Sequence, residues 1–294
     1  MGIETLSQAS TPPGAGTGLA IRPRPVRIKP ARGWVALNLK ELWDYRDLLL
    51  ILASRDIKLR YKQTALGVIW VILQPLLSSL IFAVIFGRLA NLPSDGLPYV
   101  LFVYAGMLPW NLFSGALQRA GNSLISDSRL ISKVYFPRMI IPTASSLAVL
   151  ADLAVALGVM VVLMIVYQIS PTWHLFALPV FVLLSLLIAV GVGLWISAFN
   201  VYYRDFTYAL PFVIQVWLYA SPVVYSSKMV PVGWRGIYAV NPLVGVIAGF
   251  RWCLLGSSAF PVTSASLSLL VGLVIFVGGA LVFRRIERNF ADVV

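Results

Sequence analysis

From residue 64 onward, apolar residues come in long runs broken by short polar punctuation. Six of those runs reach the roughly 20 residues that cross a bilayer as a helix. They centre on 66–87, 98–118, 139–167, 175–199, 207–226 and 264–283, and Asp152, in the third, is the only charged residue within them. The stretch 228–262 is different: Pro231, Asn241-Pro242 and Gly256 cut it, and it carries Lys228, Arg235 and Arg251. Its apolar pieces, 229–240 and 242–255, are too short to cross and read as re-entrant. Irregular backbone at membrane depth survives only under a cover of protein or beside a water-filled cavity. The pattern predicts a broken helical hairpin that dips in from the outer face and returns.

Ahead of the first run the period changes. Between 34 and 63, Leu39, Leu42, Trp43, Leu49, Leu50, Ala53, Ile57 and Tyr61 recur at spacings near three and four, among charged residues. This predicts an amphipathic helix whose basic C-terminal end suits an anionic leaflet. A docking helix of a cytoplasmic domain would show the same pattern. Residues 1–33 have no period; they are rich in Pro, Gly, Ser and Thr and then basic from Arg22 to Lys29, the composition of a disordered cytoplasmic leader. The expected fold is therefore all-α and polytopic: an N-terminal interface helix at 34–63, then a six-span unit over 64–294 with a re-entrant hairpin between spans five and six.

Composition and charge sharpen this. Of 294 residues, 59% are hydrophobic and 12% charged, against 45–50% and about 25% in soluble domains, so the excess apolar surface faces lipid. A net charge of +12 invites a nucleic-acid reading, but the basic residues lie between apolar runs. With six spans, 19 of the 23 Lys and Arg residues fall on one side, leaving Arg88, Lys228, Arg235 and Arg251 on the other. The positive-inside rule then puts both termini in the cytoplasm, whereas a seventh span would carry Arg284, Arg285 and Arg288 outside.

The absences narrow the function. Cys253 and His174 are each the sole residue of their kind, which excludes an intrachain disulfide and His-pair metal sites. Ion-coupled transport needs ionisable groups inside the bilayer, and Asp152 stands alone there. Paired catalytic carboxylates and a Ser/His arrangement are missing, and no phosphate-cradling G-x-x-x-x-G-K-[ST] motif is present. A basic cytoplasmic surface without its own engine suggests a permease powered by a separate subunit.

Specific segments carry a resemblance. Residues 55–67 read Arg55-Asp56-Ile57-Lys58-Leu59-Arg60-Tyr61-Lys62-Gln63-Thr64-Ala65-Leu66-Gly67, followed by Trp70 and Gln74-Pro75-Leu76. Gly106-Met107-Leu108-Pro109-Trp110-Asn111-Leu112-Phe113, Lys133-Val134-Tyr135-Phe136-Pro137-Arg138 with Pro142, and Asn241-Pro242 with Gly249-Phe250-Arg251 follow in order. Over about residues 45–290 the chain resembles the transmembrane subunits of type-2 ABC exporters of polysaccharides, O-antigen and teichoic acid permeases among them. The resemblance implies a homodimer of six-span subunits in the bacterial inner membrane, bound to ATPase subunits that hold ATP and Mg, exporting a lipid-linked glycan. No cofactor is expected in the chain itself. A teichoic acid, lipid or drug as cargo is an alternative, and so is a stand-alone membrane enzyme acting on lipid-linked sugar.

Three groups of candidate residues follow. In loop 119–138, Leu124, Ile131 and Val134 share one face of a short helix with Ser123 as a plausible N-cap. The resemblance makes this a coupling helix toward the ATPase, with Asp127 and Arg129, and makes the loop at Arg204 and Asp205 a second contact. Arg55, Lys58, Arg60 and Lys62 are suited to the phosphate of a lipid-linked glycan, and equally to anchoring on anionic lipid. Trp110, Tyr219 and Tyr225 are candidates for a glycan channel, although aromatic residues also belt every membrane interface.

Overall fold

The computed structural model describes residues 43–62, 67–131, 136–256 and 260–287. The leader 1–33, the first part of the interface helix and Lys133–Tyr135 lie outside them. Among the described residues the fold is helical, without strands. We label the helices α1 (Arg46–Lys62), α2 (Gly67–Phe82, continued by a π-helical turn Ala83–Leu89), α3 (Tyr99–Ser126), α4 (Ser128–Ile131), α5 (Ile140–Leu147), α6 (Leu150–Val166), α7 (Leu178–Tyr202), α8 (Asp205–Ala220), α9 (Arg235–Ala239), α10 (Leu243–Leu255) and α11 (Val262–Glu287).

Five segments are long and apolar enough to cross a membrane: Ile69–Leu89, Tyr99–Ser126, Ile140–Val166, Trp173–Tyr202 and Val262–Glu287. Side-chain contacts sort their ends into two faces. On the first face Arg55 meets Asp127, Asn200 meets Gly121 and Arg138 meets Glu287. On the second, Lys228 meets Asp95 and Tyr99 meets Val224, and Trp252 packs on His174 and Phe260. Helix α8 leaves the first face at Asp205 and runs toward the second, and both α1 and the end of α11 lie at the first face.

The fifth crossing is shorter than the sequence pattern predicts. The apolar run reaches 226, but α8 stops at Ala220 and Ser221 is extended. Pro222 is the cause, since a residue preceding proline is driven out of the α region. Sixteen residues rise only about 24 Å, short of the roughly 30 Å hydrocarbon core. The hairpin follows α8. Its segments Val232–Ala239 and Leu243–Leu255 meet at 95°, breaking at Asn241-Pro242 as expected. The tip at Asn241 receives a hydrogen bond from Trp217 Nε1 (3.1 Å), and Gly245 N donates to Ser268 Oγ (3.0 Å), below the start of α11.

Span two is longer than predicted. α3 runs on to Ser126, because no proline lies between Gln118 and Ile125 and the single Gly121 is not enough to end a helix packed on its neighbours. Ser123 is therefore not an N-cap; its hydroxyl donates within the helix to Ala120 O. Leu124 is not on a short separate helix either. It is 2% exposed, packed with Leu52, Phe136, Ile140 and Phe283.

The core sits on α3, whose residues from Leu101 to Leu117 are mostly buried against α6, α7 and α10. Against α7, α11 comes very close: Gly279 lies against the Gly191 carbonyl and Gly191 against the Phe276 backbone, with no room for a side chain at either. These small residues serve close helix approach inside the chain, as does Gly193 against Ala120.

Candidate functional site

The first face is where the polar chemistry concentrates. α1 turns its Leu52–Ala53 edge onto α5, where both residues are buried, and leaves Leu50 and Ile51 exposed on its other side. Its apolar stripe is thus divided between the bundle and the outside. One helical turn beyond, Arg55 donates from Nε and Nη2 to Asp56 Oδ1 (3.0 and 2.9 Å) and from Nη2 to Asp127 Oδ2 (2.7 Å). Ser145 on α5 donates to the other oxygen of Asp56 (3.1 Å). Burial disfavours the Arg55 charge, but the hydrogen bonds to Asp127 and Asp56 outweigh it, and its pKa is held above the ordinary value.

Farther along α1, Arg60 pairs with Asp152 (2.7 Å), and Tyr61 Oη donates to the same carboxylate (2.5 Å). Burial, then the hydrogen bond to Asp152, push the Tyr61 phenol up to about 12. The lone intramembrane carboxylate of the sequence is therefore partnered by the interface helix, which answers the cost of leaving such a group unpaired.

Between α1 and the last two turns of α3 opens a cavity of about 460 Å³. α1 contributes Arg55, Asp56 and Leu59; α3 contributes Gln118, Arg119, Asn122, Ser123 and Ser126. Asp127 and Ser145 complete the wall. Sequence reading placed Arg119 in the following loop and gave it no role. The usable signal was the polar stripe Arg119, Asn122, Ser126 at i, i+3 and i+7, which closes an apolar helix on one face.

The sequence-predicted residues are distributed as follows. Arg55 and Arg60 are committed to carboxylates, whereas Lys58 and Lys62 are exposed. Asp127 terminates α3 and holds Arg55. Arg129 and Ile131 belong to the short α4, and their side chains lie outside the described set. Arg204 and Asp205 are exposed at the sharp turn between α7 and α8, on the same face. Of the three aromatic residues Trp110 stands apart, 4% exposed and packed on Phe113 inside the bundle, while Tyr219 is 56% exposed on α8 and meets Tyr225. Tyr225 lies on the second face, accepting from Tyr238 and donating to Tyr219 O. Tyr208, Phe212, Val216 and Tyr219 form an exposed row along α8.

The second face is held by a buried cation. Arg251 on α10 is 8% exposed, lies 3.5 Å over the Phe102 ring and donates to the carbonyls of Val223 (2.7 Å), Phe102 (3.3 Å) and Tyr225 (3.5 Å). These bonds clamp the turn after α8 onto α3. Among the described residues no group of three metal-ligating side chains occurs.

Comparison with known proteins agrees with this architecture. The family model for ABC-2 type transporters matches residues 47–255. The chain is 34% identical over 215 residues to the O-antigen export system permease protein RfbA of Myxococcus xanthus, covering 72% of this chain and 82% of that protein. It is 27% identical over 249 residues to the O-antigen export system permease protein RfbA of Klebsiella pneumoniae, covering 84% and 95%. It is 23% identical over 237 residues to the polysialic acid transport protein KpsM of Escherichia coli, covering 79% and 91%. A multi-pass helical membrane permease with this match over most of its length belongs to the ABC-2 type transporter family.

Proposed function

We propose that the chain is the transmembrane subunit of an ATP-driven exporter that moves a lipid-linked, O-antigen-like polysaccharide across the bacterial inner membrane. The observation that carries this reading is the similarity to permeases named for O-antigen export along most of both chains. In this reading the first face, with its excess of basic residues, is cytoplasmic, and both termini lie there. A separate ATPase subunit supplies ATP and Mg. It docks on the Asp127, Arg129, Ile131 segment and on the Arg204-Asp205 turn, with Leu124 bracing the segment from inside. Lys58 and Lys62 recruit the lipid phosphate, and Arg55 and Arg60 fix the helix that presents them. Two copies of the chain enclose the glycan path, to which the exposed aromatic row of α8 contributes Tyr219, with Tyr225 at the outer end. Trp110 supports that wall from within.

The test is purification of the tagged protein from native membranes in gentle detergent, with mass spectrometry and an ATPase assay of the eluate. A near-equimolar P-loop subunit with ATPase activity is expected. Recovery of the protein alone, without ATPase activity, would overturn the exporter reading. At normal protein levels, Lys58→Ala with Lys62→Ala is expected to lower surface polysaccharide, and unchanged export would remove the phosphate role.

A further inference from the structure

The cavity between α1 and α3 is unusual in a chain so apolar, and its charges nearly cancel. Arg55 is shared by Asp56 and Asp127, a trio with one net negative charge that Arg119 on the same wall offsets. Arg119 is half-buried and makes no hydrogen bond or ion pair among the described residues; Arg60 repels its charge while Asp152 and Asp56 balance it from a distance. Its guanidinium donors are therefore open to the cavity. Beside it stand the Gln118 and Asn122 amides and the Ser126 hydroxyl.

A net-neutral wall gives little pull on a phosphate, whose recognition rests on uncompensated positive charge. What this wall offers is donors and acceptors side by side: guanidinium and amide N–H groups to donate, carboxylate, amide and hydroxyl oxygens to accept. Sugar hydroxyls need both at once. The volume also falls in the range of small-molecule pockets. We infer that this cavity is a carbohydrate site: it takes an uncharged, hydroxyl-rich sugar unit of the cargo, with Arg119 as its anchoring donor. The inference rests on the exporter reading and deepens it. With the lipid phosphate on the Lys58–Lys62 side of α1, the adjoining sugar enters beside Leu59, and the permease itself reads the glycan.

The experiment uses the full chain in phosphatidylcholine nanodiscs. The probes are phosphate-free oligosaccharide released by mild acid from the host's own envelope polysaccharide, and inorganic diphosphate, with binding followed by saturation-transfer NMR. Oligosaccharide binding is expected to weaken about tenfold in Arg119→Ala, less in Arg119→Lys and Gln118→Ala, and not at all in Lys228→Ala on the opposite face. Diphosphate is expected not to compete. Nanodiscs containing phosphatidylglycerol serve as the headgroup arm and are expected to leave binding unchanged. Three results would overturn the inference: no oligosaccharide binding, equal binding by Arg119→Ala, or displacement by diphosphate or phosphatidylglycerol, which would reassign the cavity to an oxyanion or a lipid headgroup. Should Arg119→Ala fail to give a monodisperse protein, Arg119→Lys and Gln118→Ala decide. Failure here, with an ATPase subunit still recovered in the purification above, leaves the exporter reading standing and removes only the sugar site.

Discussion

Arg55 and Arg251 hold helix ends at opposite faces of the same bundle by different means. Arg55 keeps about a third of its side chain exposed (32%) and sits between two carboxylates. Arg251 is sealed, has no carboxylate in hydrogen-bonding reach, and spends its donors on three carbonyls and its flat face on Phe102. Where water enters, an ion pair is cheap to separate; where it does not, a lost donor strands the turn carbonyls of Val223 and Tyr225. The Arg251 clamp is therefore the costlier of the two to break.

That contrast is breakable. The largest effect is expected from Arg251→Met, which leaves the Val223, Phe102 and Tyr225 carbonyls without their donor. A loss of about 3 kcal/mol or more should appear as early unfolding in detergent, and a wild-type transition would show that the clamp holds nothing. Next comes Asp127→Ala, expected to cost about 1 kcal/mol. A double-mutant cycle with Arg55→Ala should show coupling of similar size, and additive behaviour would mean the pair is idle. Asp152→Asn keeps the shape but discharges the partner of Arg60; a loss below about 1 kcal/mol is expected from the same assay. Lys228→Ala, at an exposed pair with Asp95, should shift stability by less than about 0.5 kcal/mol.

A pH dependence tests the first face separately. The Tyr61 phenol, pushed up from 10.0 to about 12, stabilises the fold fully below pH 10 and loses that contribution as pH climbs to about 12. Comparing alkaline unfolding of Tyr61→Phe with the parent isolates it: the parent should lose stability more steeply over that window, and parallel curves would refute the assignment.

How much of this was legible in the sequence varies with the kind of force involved. Span positions and the hairpin break were readable, because apolar run length and Asn241-Pro242 act locally. The end of α8 was readable only through Pro222, and the apolar run to 226 concealed it. The partner of Asp152 was not readable, since Arg60 and Tyr61 lie some ninety residues away and no local pattern joins them. Arg119 was misplaced by counting it with a basic loop, although the polar stripe it begins lay in plain order. Trp110 looked like an interface aromatic, yet α3 is the central helix and buries it; periodicity reports a face, not a helix's depth in the bundle.

The close seam of α7 and α11 bears on biogenesis. Synthesis delivers α7 to the membrane well before α11, with α8 and the hairpin made in between. Until α11 arrives, the bare backbone at Gly191 faces lipid, where neither side chain nor solvent covers it. Each nascent chain therefore passes through an interval in which that groove is uncovered, and insertion of α11 closes it.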